Sequence, residues 1–97
     1  MIKEFNKIRK LISQSHYEFT EHAYDGMAQD FLEEEEVITA IKNGFITKKQ
    51  RDLHKEAPFV YTILGESDTG VWVYVAGKII ENELKIFKII TAKEDKS

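Results

Sequence analysis

Five side chains of this sequence are of the types that metal-independent cleavage of RNA would use. Such cleavage needs a group that takes the proton of the ribose 2′-OH, a donor for the leaving oxygen, and cations that face the phosphate. His22 and Tyr74 could carry the proton transfers, and the RNA could be held by Lys49, Arg51 and His54. Because Lys49 and Arg51 are alternate residues of a predicted strand, their side chains project from the same face.

Each of these residues also has an ordinary structural interpretation. His22 could be a partly buried histidine at the start of a helix, and Lys49 and Arg51 could belong to a solvated face. Trp72 and Tyr74 lie on a predicted strand, where an aromatic side chain is more often part of the core than a platform for stacked bases. Composition and spacing leave these alternatives open.

Other kinds of catalytic site find little support in the sequence. The chain has no cysteine, which excludes disulfides, thiolate nucleophiles and cysteine-bound zinc. The three histidines, His16, His22 and His54, do not form the i, i+4 pair of a helical metal site. There is no Gly-x-Ser-x-Gly elbow and no phosphate-binding loop with Gly-Lys-Ser/Thr. We therefore expect neither a metal nor a cofactor.

The charge of the chain is small overall but unevenly distributed. The 97 residues include 14 lysines and arginines and 17 aspartates and glutamates, for a net charge of −3. This balance excludes a general binder of polyanions, which carries a large positive excess. Residues 16–36 contain eight acidic residues and no lysine or arginine, whereas residues 37–57 have a net charge of +3. The sequence therefore predicts separate acidic and basic surfaces.

Hydrophobic periodicity predicts three helices in the first half of the chain. Apolar residues recur at helical spacing from Ile2 to Ile12. Thr20 is a candidate N-cap for a second helix. The acidic run Glu33–Glu36 suits the first turn of a third helix, because negative charge there meets the positive end of the helix dipole. Asn43-Gly44 is a plausible stop for that helix.

The second half of the chain changes to the pattern of strands. Four segments are rich in β-branched and aromatic residues, namely 45–51, 59–64, 71–76 and 84–91, and a short extended piece lies at 16–19. Short connections at 65–70 and 81–83 imply antiparallel neighbours. We predict an α+β domain with N-terminal helices packed on a roughly four-stranded antiparallel sheet. The chain is predicted to be a single domain, residues 1–97, with a charged tail at 93–97.

The sequence also bears on the compartment. No apolar run approaches the roughly 20 residues that a membrane-spanning helix needs, and the N-terminus lacks the apolar region of a signal peptide. The lack of cysteine fits a reducing environment. We expect a small soluble protein of the cytoplasm that does not contact a membrane.

One part of the chain resembles an uncharacterised prokaryotic family. Phe19-Thr20-Glu21-His22-Ala23, then Met27, then Glu35-Glu36 and a glycine after the helix resemble the domain of unknown function 4258. The segment Ile89-Ile90-Thr91-Ala92 is similar to the closing strand of the family, so that the resemblance covers about residues 17–92.

The chain departs from the family pattern at four positions, the first of which is Glu33, where members carry a serine that would cap the third helix. Two positions at which members carry arginine are occupied by Gly26 and Asp30, although members also show aspartate at the second. A strand position that is often histidine in the family corresponds to Tyr74. The glycine removes a side chain that would bind phosphate, which weakens the case for catalysis.

The family is similar in layout to RelE/ParE-like and BrnT-like toxins of toxin–antitoxin pairs. Many of these toxins are ribonucleases, and their antitoxins cover a basic site. The resemblance therefore implies a RelE-like layout, RNA or the ribosome as substrate, and a cognate antitoxin as partner. A fold does not fix a function, so these remain expectations.

Two functions follow from these observations as alternatives. The first is a RelE-like, metal-independent endoribonuclease toxin, either active or degenerate because of the missing arginine. The second is a non-catalytic protein-binding module with a toxin-like fold, which would meet a basic partner through the acidic residues of 16–36. A third alternative is self-association into a homodimer, through a strand edge or through the isoleucine-rich final strand.

Overall fold

The computed structural model describes residues 4–52, 57–81 and 83–96 of the chain. As the periodicity predicts, helices dominate the first half of the described chain and strands the second. The elements in chain order are α1 (Glu4–Ser13), β1 (Tyr17–Phe19), α2 (Glu21–Gln29), α3 (Glu34–Asn43), β2 (Phe45–Arg51), β3 (Phe59–Glu66), β4 (Trp72–Glu81) and β5 (Lys85–Glu94). The predicted α+β class is confirmed.

The sheet differs from the predicted four antiparallel strands. Its five described strands lie in the order β1-β5-β4-β3-β2, and β1 runs parallel to β5, so the sheet is mixed. The short extended piece of the prediction is this fifth strand. It is held where the His16 carbonyl accepts a hydrogen bond from the Phe87 amide (2.9 Å) and the Thr20 amide donates to the Ile89 carbonyl (3.0 Å). No tight turn joins β1 to β5, so the local sequence carries no signal for this pairing.

The last two strands are also longer than predicted. β4 runs on to Glu81 and β5 to Glu94, and the two strands pair from Val73–Glu94 to Glu81–Lys85. The first two residues of the predicted charged tail are therefore part of the sheet.

The two faces of the sheet have different surroundings. Along β4, Val73 and Val75 are fully buried beneath the helices. Trp72 and Tyr74 alternate with them and therefore project to the other side. We call these two sides the helix-bearing face and the helix-free face, since the described helices all pack on the first. The core between helices and sheet contains Phe5, Ile8, Leu11, Ile12, Ala23, Met27, Leu32, Val37, Ala40, Ile41, Tyr61, Ile63, Val73, Val75, Phe87, Ile89 and Ala92.

The N-termini of α2 and α3 are capped by the residues that the sequence indicates. The Thr20 hydroxyl accepts from the Ala23 amide (3.1 Å) and donates to the Ile90 carbonyl (3.2 Å), so it both caps α2 and joins it to β5. In α3 the Glu33 and Glu36 side chains form a reciprocal capping box with each other's backbone. Two of the four glutamates of the acidic run therefore bind backbone groups at the start of α3.

At the C-terminal end of α3, Gly44 lies where there is no room for a side chain. The helix ends at Asn43, as Asn43-Gly44 predicts, but Gly44 has an ordinary φ of −93°. A Cβ atom at Gly44 would lie 2.5 Å from the Leu64 carbonyl oxygen and 2.6 Å from that of Ala40. Glycine is therefore needed because α3 and β3 approach each other closely, and not because of a left-handed conformation.

Asp30 fastens the end of β5 to the end of α2. Its Oδ2 atom accepts a hydrogen bond from the Glu94 amide (2.9 Å), and its Oδ1 atom lies 3.1 Å from Lys96 Nζ. The backbone hydrogen bond from Glu94, followed by the contact with Lys96, lowers the pKa of the Asp30 carboxyl. The charged form of Asp30 is therefore the form that the fold prefers.

This preference predicts a pH-dependent contribution of Asp30 to stability. A carboxyl whose pKa is depressed by folding stabilises the native state above its unfolded pKa, and this contribution disappears as the pH falls through the lower, folded value. Asp30→Asn should therefore unfold at a lower urea concentration than the wild type at pH 7. The difference between the two midpoints should close as the pH falls below about 4. A constant difference from pH 7 to pH 3 would contradict this explanation.

Candidate functional site

His22 lies in the first turn of α2 and is exposed to solvent. Helix α2 packs on β5, where Gly26 approaches the strand closely: a Cβ atom at Gly26 would lie 2.8 Å from the Ala92 carbonyl oxygen. A side chain at this position would push α2 away from β5. His22 is thus on the solvent-exposed surface of the helical layer, on the helix that packs on β5.

Lys49 is also on the helix-bearing face, but on β2, at the opposite edge of the sheet from β1 and β5. It pairs with Tyr61 of β3, whose side chain is in the core. Its Nζ atom lies 2.6 Å from Glu4 Oε1 of α1 and 4.2 Å from the centre of the Phe59 ring. The hydrogen bond between the two side chains raises the pKa of Lys49 and lowers that of Glu4. Its charge already has a partner within the chain, so a phosphate would have to compete with Glu4.

Arg51 shares this face and this strand with Lys49, as the alternation predicts, and it pairs with Phe59. Beside them lies a cleft of about 300 Å³ between α1 and the strands, lined in part by Glu4, Lys7, Tyr61 and Glu81. Lys7 contacts Glu81 there. The cations and carboxylates of this cleft are therefore matched in pairs, an arrangement that favours internal stability over anion binding. His54 lies outside the described residues.

Tyr74 is on the opposite side of the sheet from Lys49 and Arg51. It is paired with Leu64 on β3 and with Lys93 on β5. Residues directly opposite in an antiparallel ladder share a face, so Leu64 and Lys93 are also on the helix-free face. Lys93 Nζ lies 5.2 Å from the centre of the Tyr74 ring, within the range of a cation–π contact.

The structure therefore brings together Lys49 and Arg51 but not the whole predicted set. His22 stands over β5, and β2 lies three strands away, which is about 14 Å at the usual spacing of ~4.8 Å between strands. Tyr74 is separated from both by the thickness of the sheet. General acid–base chemistry needs its groups within hydrogen-bond reach of one phosphate, and these positions do not provide that.

A row of aromatic and apolar side chains on the helix-free face was not identified from the sequence as a site. The register places Phe45, Leu64, Tyr74 and Lys93 side by side on neighbouring strands, and Trp72 lies next to them on β4. Phe45 is 51% exposed and Trp72 is 44% exposed. We call Phe45, Leu64, Trp72 and Tyr74 the aromatic row. Its signal in the sequence is the alternation of Trp72 and Tyr74 with two valines.

The helix-free face is open at the aromatic row and closed farther along β4. There Lys78 is 7% exposed, and its Nζ atom lies 2.6 Å from Asp52 Oδ2, at the end of β2. Ile80, two residues on, is also buried. Along β4, the accessible part of this face is therefore the end that carries Trp72 and Tyr74.

The described residues show neither a metal-binding cluster nor a membrane-spanning helix. Across residues 4–52, 57–81 and 83–96, no three His, Cys, Asp or Glu side chains are grouped closely enough to hold a metal ion. Over the same ranges, the helices are too short and too polar to cross a bilayer.

Comparison with known proteins identifies one family. Residues 19–94 match the family described as "Domain of unknown function (DUF4258)". The chain belongs to this family. The resemblance seen in the sequence is thereby confirmed, with boundaries shifted by two residues at each end. None of the curated proteins matches the chain.

The match places the family domain on the structure. It starts in β1 and ends with β5, so it contains the whole sheet after the first two residues of β1, together with α2 and α3. Helix α1, which supplies Glu4 to the Lys49 ion pair, lies outside it. The aromatic row, His22 and Asp30 all lie inside.

Proposed function

We propose that this DUF4258 protein binds single-stranded RNA on the helix-free face of its sheet, as a degenerate form of a RelE-like, toxin-type endoribonuclease. The observation that supports the proposal best is the aromatic row, in which Phe45 and Trp72 are exposed and Leu64 and Tyr74 half-buried, with lysines at its border. The similarity to RelE-like toxins is carried over from the sequence pattern as part of the proposal.

The aromatic row has the properties of a stacking surface. Every base has a flat π face, so exposed aromatic side chains on a sheet can stack on successive bases without reading their sequence. Tyr74 lies between Trp72 and the Phe45 side of the row, and helices support the sheet from behind. The backbone that carries the row is therefore in place before RNA arrives, which reduces the entropy lost on binding.

Lysines at the border of the row supply the attraction for phosphate. Lys93 lies beside Tyr74, and Lys48 of β2 pairs with Thr62 on the same face. A pair of lysines is a modest positive charge, consistent with a chain whose net charge is −3. We therefore expect RNA binding to depend on stacking more than on charge, and its affinity to fall only gently with salt, with a logarithmic slope of about −1.4.

The degenerate form is expected to bind RNA without cleaving it. His22, Lys49 and Arg51 lie on or above the helix-bearing face, away from the surface on which bases would stack. RNA held against Tyr74 would not meet them. The family arginine is replaced by Gly26, which allows α2 to lie close to β5.

Trp72 provides a direct test, because it is the only tryptophan in the chain. Titration of the protein with a single-stranded oligoadenylate should quench Trp72 fluorescence in a saturable manner, because a stacked base quenches an indole ring. A double-stranded RNA of the same length, whose bases are not free to stack, should give little change. An unchanged signal with the single strand, at low salt and at high protein concentration, would contradict the proposal.

Expression in a bacterial host tests the loss of cleavage. We expect induced cells that carry the wild type, His22→Ala or Arg51→Ala to grow equally, with intact ribosome-bound mRNA. Growth arrest with the wild type that is relieved by His22→Ala would show an active ribonuclease and overturn the degenerate form of the proposal. Western blots of the three strains provide the control for equal amounts of protein.

A protein-binding module is the second candidate, favoured by the same exposed apolar side chains, because apolar patches also mark protein interfaces. The acidic residues of 16–36 support protein binding less than the sequence suggests, because some of them have partners within the chain. Glu36 accepts a hydrogen bond from Thr69 (2.7 Å), and Glu34 accepts one from Tyr24 (3.4 Å). A cognate antitoxin and a homodimer are the partners proposed for this function. A complex that survives gel filtration, together with no response of Trp72 to RNA, would favour it over RNA binding.

A further inference from the structure

Strand β2 is an edge of the sheet that a further strand can join. In the order of the five described strands across the sheet, β2 is at one end, and it pairs only with β3. It has seven residues without proline, six of them exposed. In an antiparallel pair alternate residues point their N–H and C=O groups outward, and the register of β2 is regular from Lys48 to Arg51, after an irregularity between Ile46 and Lys48. This part of the strand presents a row of outward backbone groups.

The opposite edge does not offer the same opportunity. It is formed by β1, which has only three residues, and the half-buried rings of Tyr17 and Phe19 contact each other there. A three-residue strand can form few hydrogen bonds with a new neighbour. Addition of a strand to this sheet is therefore expected at β2.

The charge of β2 determines what can pair with it. The strand carries Lys48, Lys49 and Arg51 and no acidic residue. Lys49 is engaged by Glu4, whereas Lys48 and Arg51 lie exposed on opposite faces of the strand. Acidic side chains of an added strand would meet a cation on either face, and opposite charges across a strand pair are favourable.

We propose that β2 binds an extended, acidic segment of a partner protein, which adds a sixth strand to the sheet. This goes beyond RNA binding, which uses side chains of the helix-free face, Phe45 and Lys48 of β2 among them, whereas an added strand pairs with the outward backbone groups of β2. Recognition comes from backbone hydrogen bonds along β2 and from glutamate or aspartate residues that meet Lys48 and Arg51.

The same charges disfavour pairing of β2 with a second copy of this chain. Two β2 strands side by side would bring lysines and arginines together, and like charges opposite each other are destabilising. Lysine on an edge strand is a known protection against self-association. The charges of β2 therefore disfavour pairing with another β2 strand and favour pairing with an acidic strand.

A synthetic seven-residue peptide with two glutamates three residues apart, which lie on opposite faces of a strand as Lys48 and Arg51 do, and with valine elsewhere, blocked at both ends, is the probe for this proposal. Added to the ¹⁵N-labelled full chain, it should shift the amide signals of residues 45–51 and slow hydrogen exchange at alternate amides of β2. The double variant Lys48→Glu/Arg51→Glu should bind it about tenfold more weakly, because two attractive cross-strand pairs become repulsive. The matched variant Lys10→Glu/Lys42→Glu, which reverses exposed charges on α1 and α3, should bind as the wild type does.

A second peptide separates strand addition from simple charge attraction. A peptide with the same two glutamates and proline at every other position has the same charge but lacks most backbone donors on both of its sides. It should bind much more weakly and leave hydrogen exchange in β2 unchanged. Equal binding of the two peptides, or shifts centred on another surface, would overturn the proposal. Because Tyr74 is not part of the edge, Tyr74→Ala should bind the first peptide normally, so a failure here is distinct from a failure of RNA binding.

Discussion

The double variant Phe45→Ala/Tyr74→Ala is expected to bind single-stranded RNA about 30-fold more weakly than the wild type. Stacking of one base on an aromatic side chain contributes about 1–3 kcal/mol, and the variant removes two such side chains from the aromatic row, which corresponds to about 2 kcal/mol at the lower limit. Trp72 remains, so its fluorescence still reports binding. The measurement is the titration with single-stranded oligoadenylate, compared at one salt concentration.

The control for this variant is an aromatic residue elsewhere on the surface. Phe31, between α2 and α3, is 90% exposed and lies in the acidic part of the chain, outside the aromatic row. Phe31→Ala should leave the affinity for RNA unchanged. The far-UV circular dichroism of the double variant should match that of the wild type, because Phe45 is half exposed and Tyr74 is not in the core. If the double variant binds as well as the wild type, RNA does not use this face.

The substitution Gly65→Ala is expected to destabilise the fold by about 3 kcal/mol or more. A Cβ atom at Gly65 would lie 1.9 Å from the Ala40 carbonyl oxygen and 2.9 Å from the Gly44 Cα atom. All of these are backbone atoms, so no side-chain rotation can relieve the overlap. Helix α3 would have to move away from β3, which would disturb the core around Ala40 and Ile63. Thermal unfolding should show a midpoint lower by about 15 °C, or no cooperative transition.

Gly70 provides a matched glycine for this prediction. It lies in the β3–β4 connection with a φ of +86°, and the nearest atom to an added Cβ is Glu66 Oε2 at 3.9 Å. Gly70→Ala therefore suffers only from an unfavourable backbone conformation and should cost about 1 kcal/mol. If Gly65→Ala is no more harmful than Gly70→Ala, the close approach of α3 and β3 is not what holds the helix in place.

The elements of the fold were predictable where their signals are local. The apolar spacing of α1, the capping Thr20 and the acidic start of α3 all act within one or two helical turns, and each is found as expected. The two short connections correctly imply that β3, β4 and β5 are antiparallel neighbours. Strand β1 was only an extended piece in the sequence, because its partner β5 is far away along the chain.

The candidate site was predictable only in part. Alternation along a strand correctly places Lys49 and Arg51 on one face, because the period of a strand is a local property. It does not show that Glu4 of α1 reaches Lys49, since that contact depends on how a distant helix packs. Likewise, a strand with two aromatic and two valine side chains in alternation has two apolar sides. The sequence does not say which side the helices cover.

Tertiary structure decided that question, and with it the proposed function. The sequence by itself determined the α+β class, the helix caps, the family and the residue types available for chemistry, because these depend on neighbouring residues or on the pattern of the whole chain. Only the packed structure showed that Tyr74 and Lys49 lie on opposite faces, that His22 stands over a different strand, and that two side chains of the aromatic row are left exposed. The physical reason is that a sheet separates two surfaces by its own thickness, and the choice of surface is made by helices that are remote in sequence.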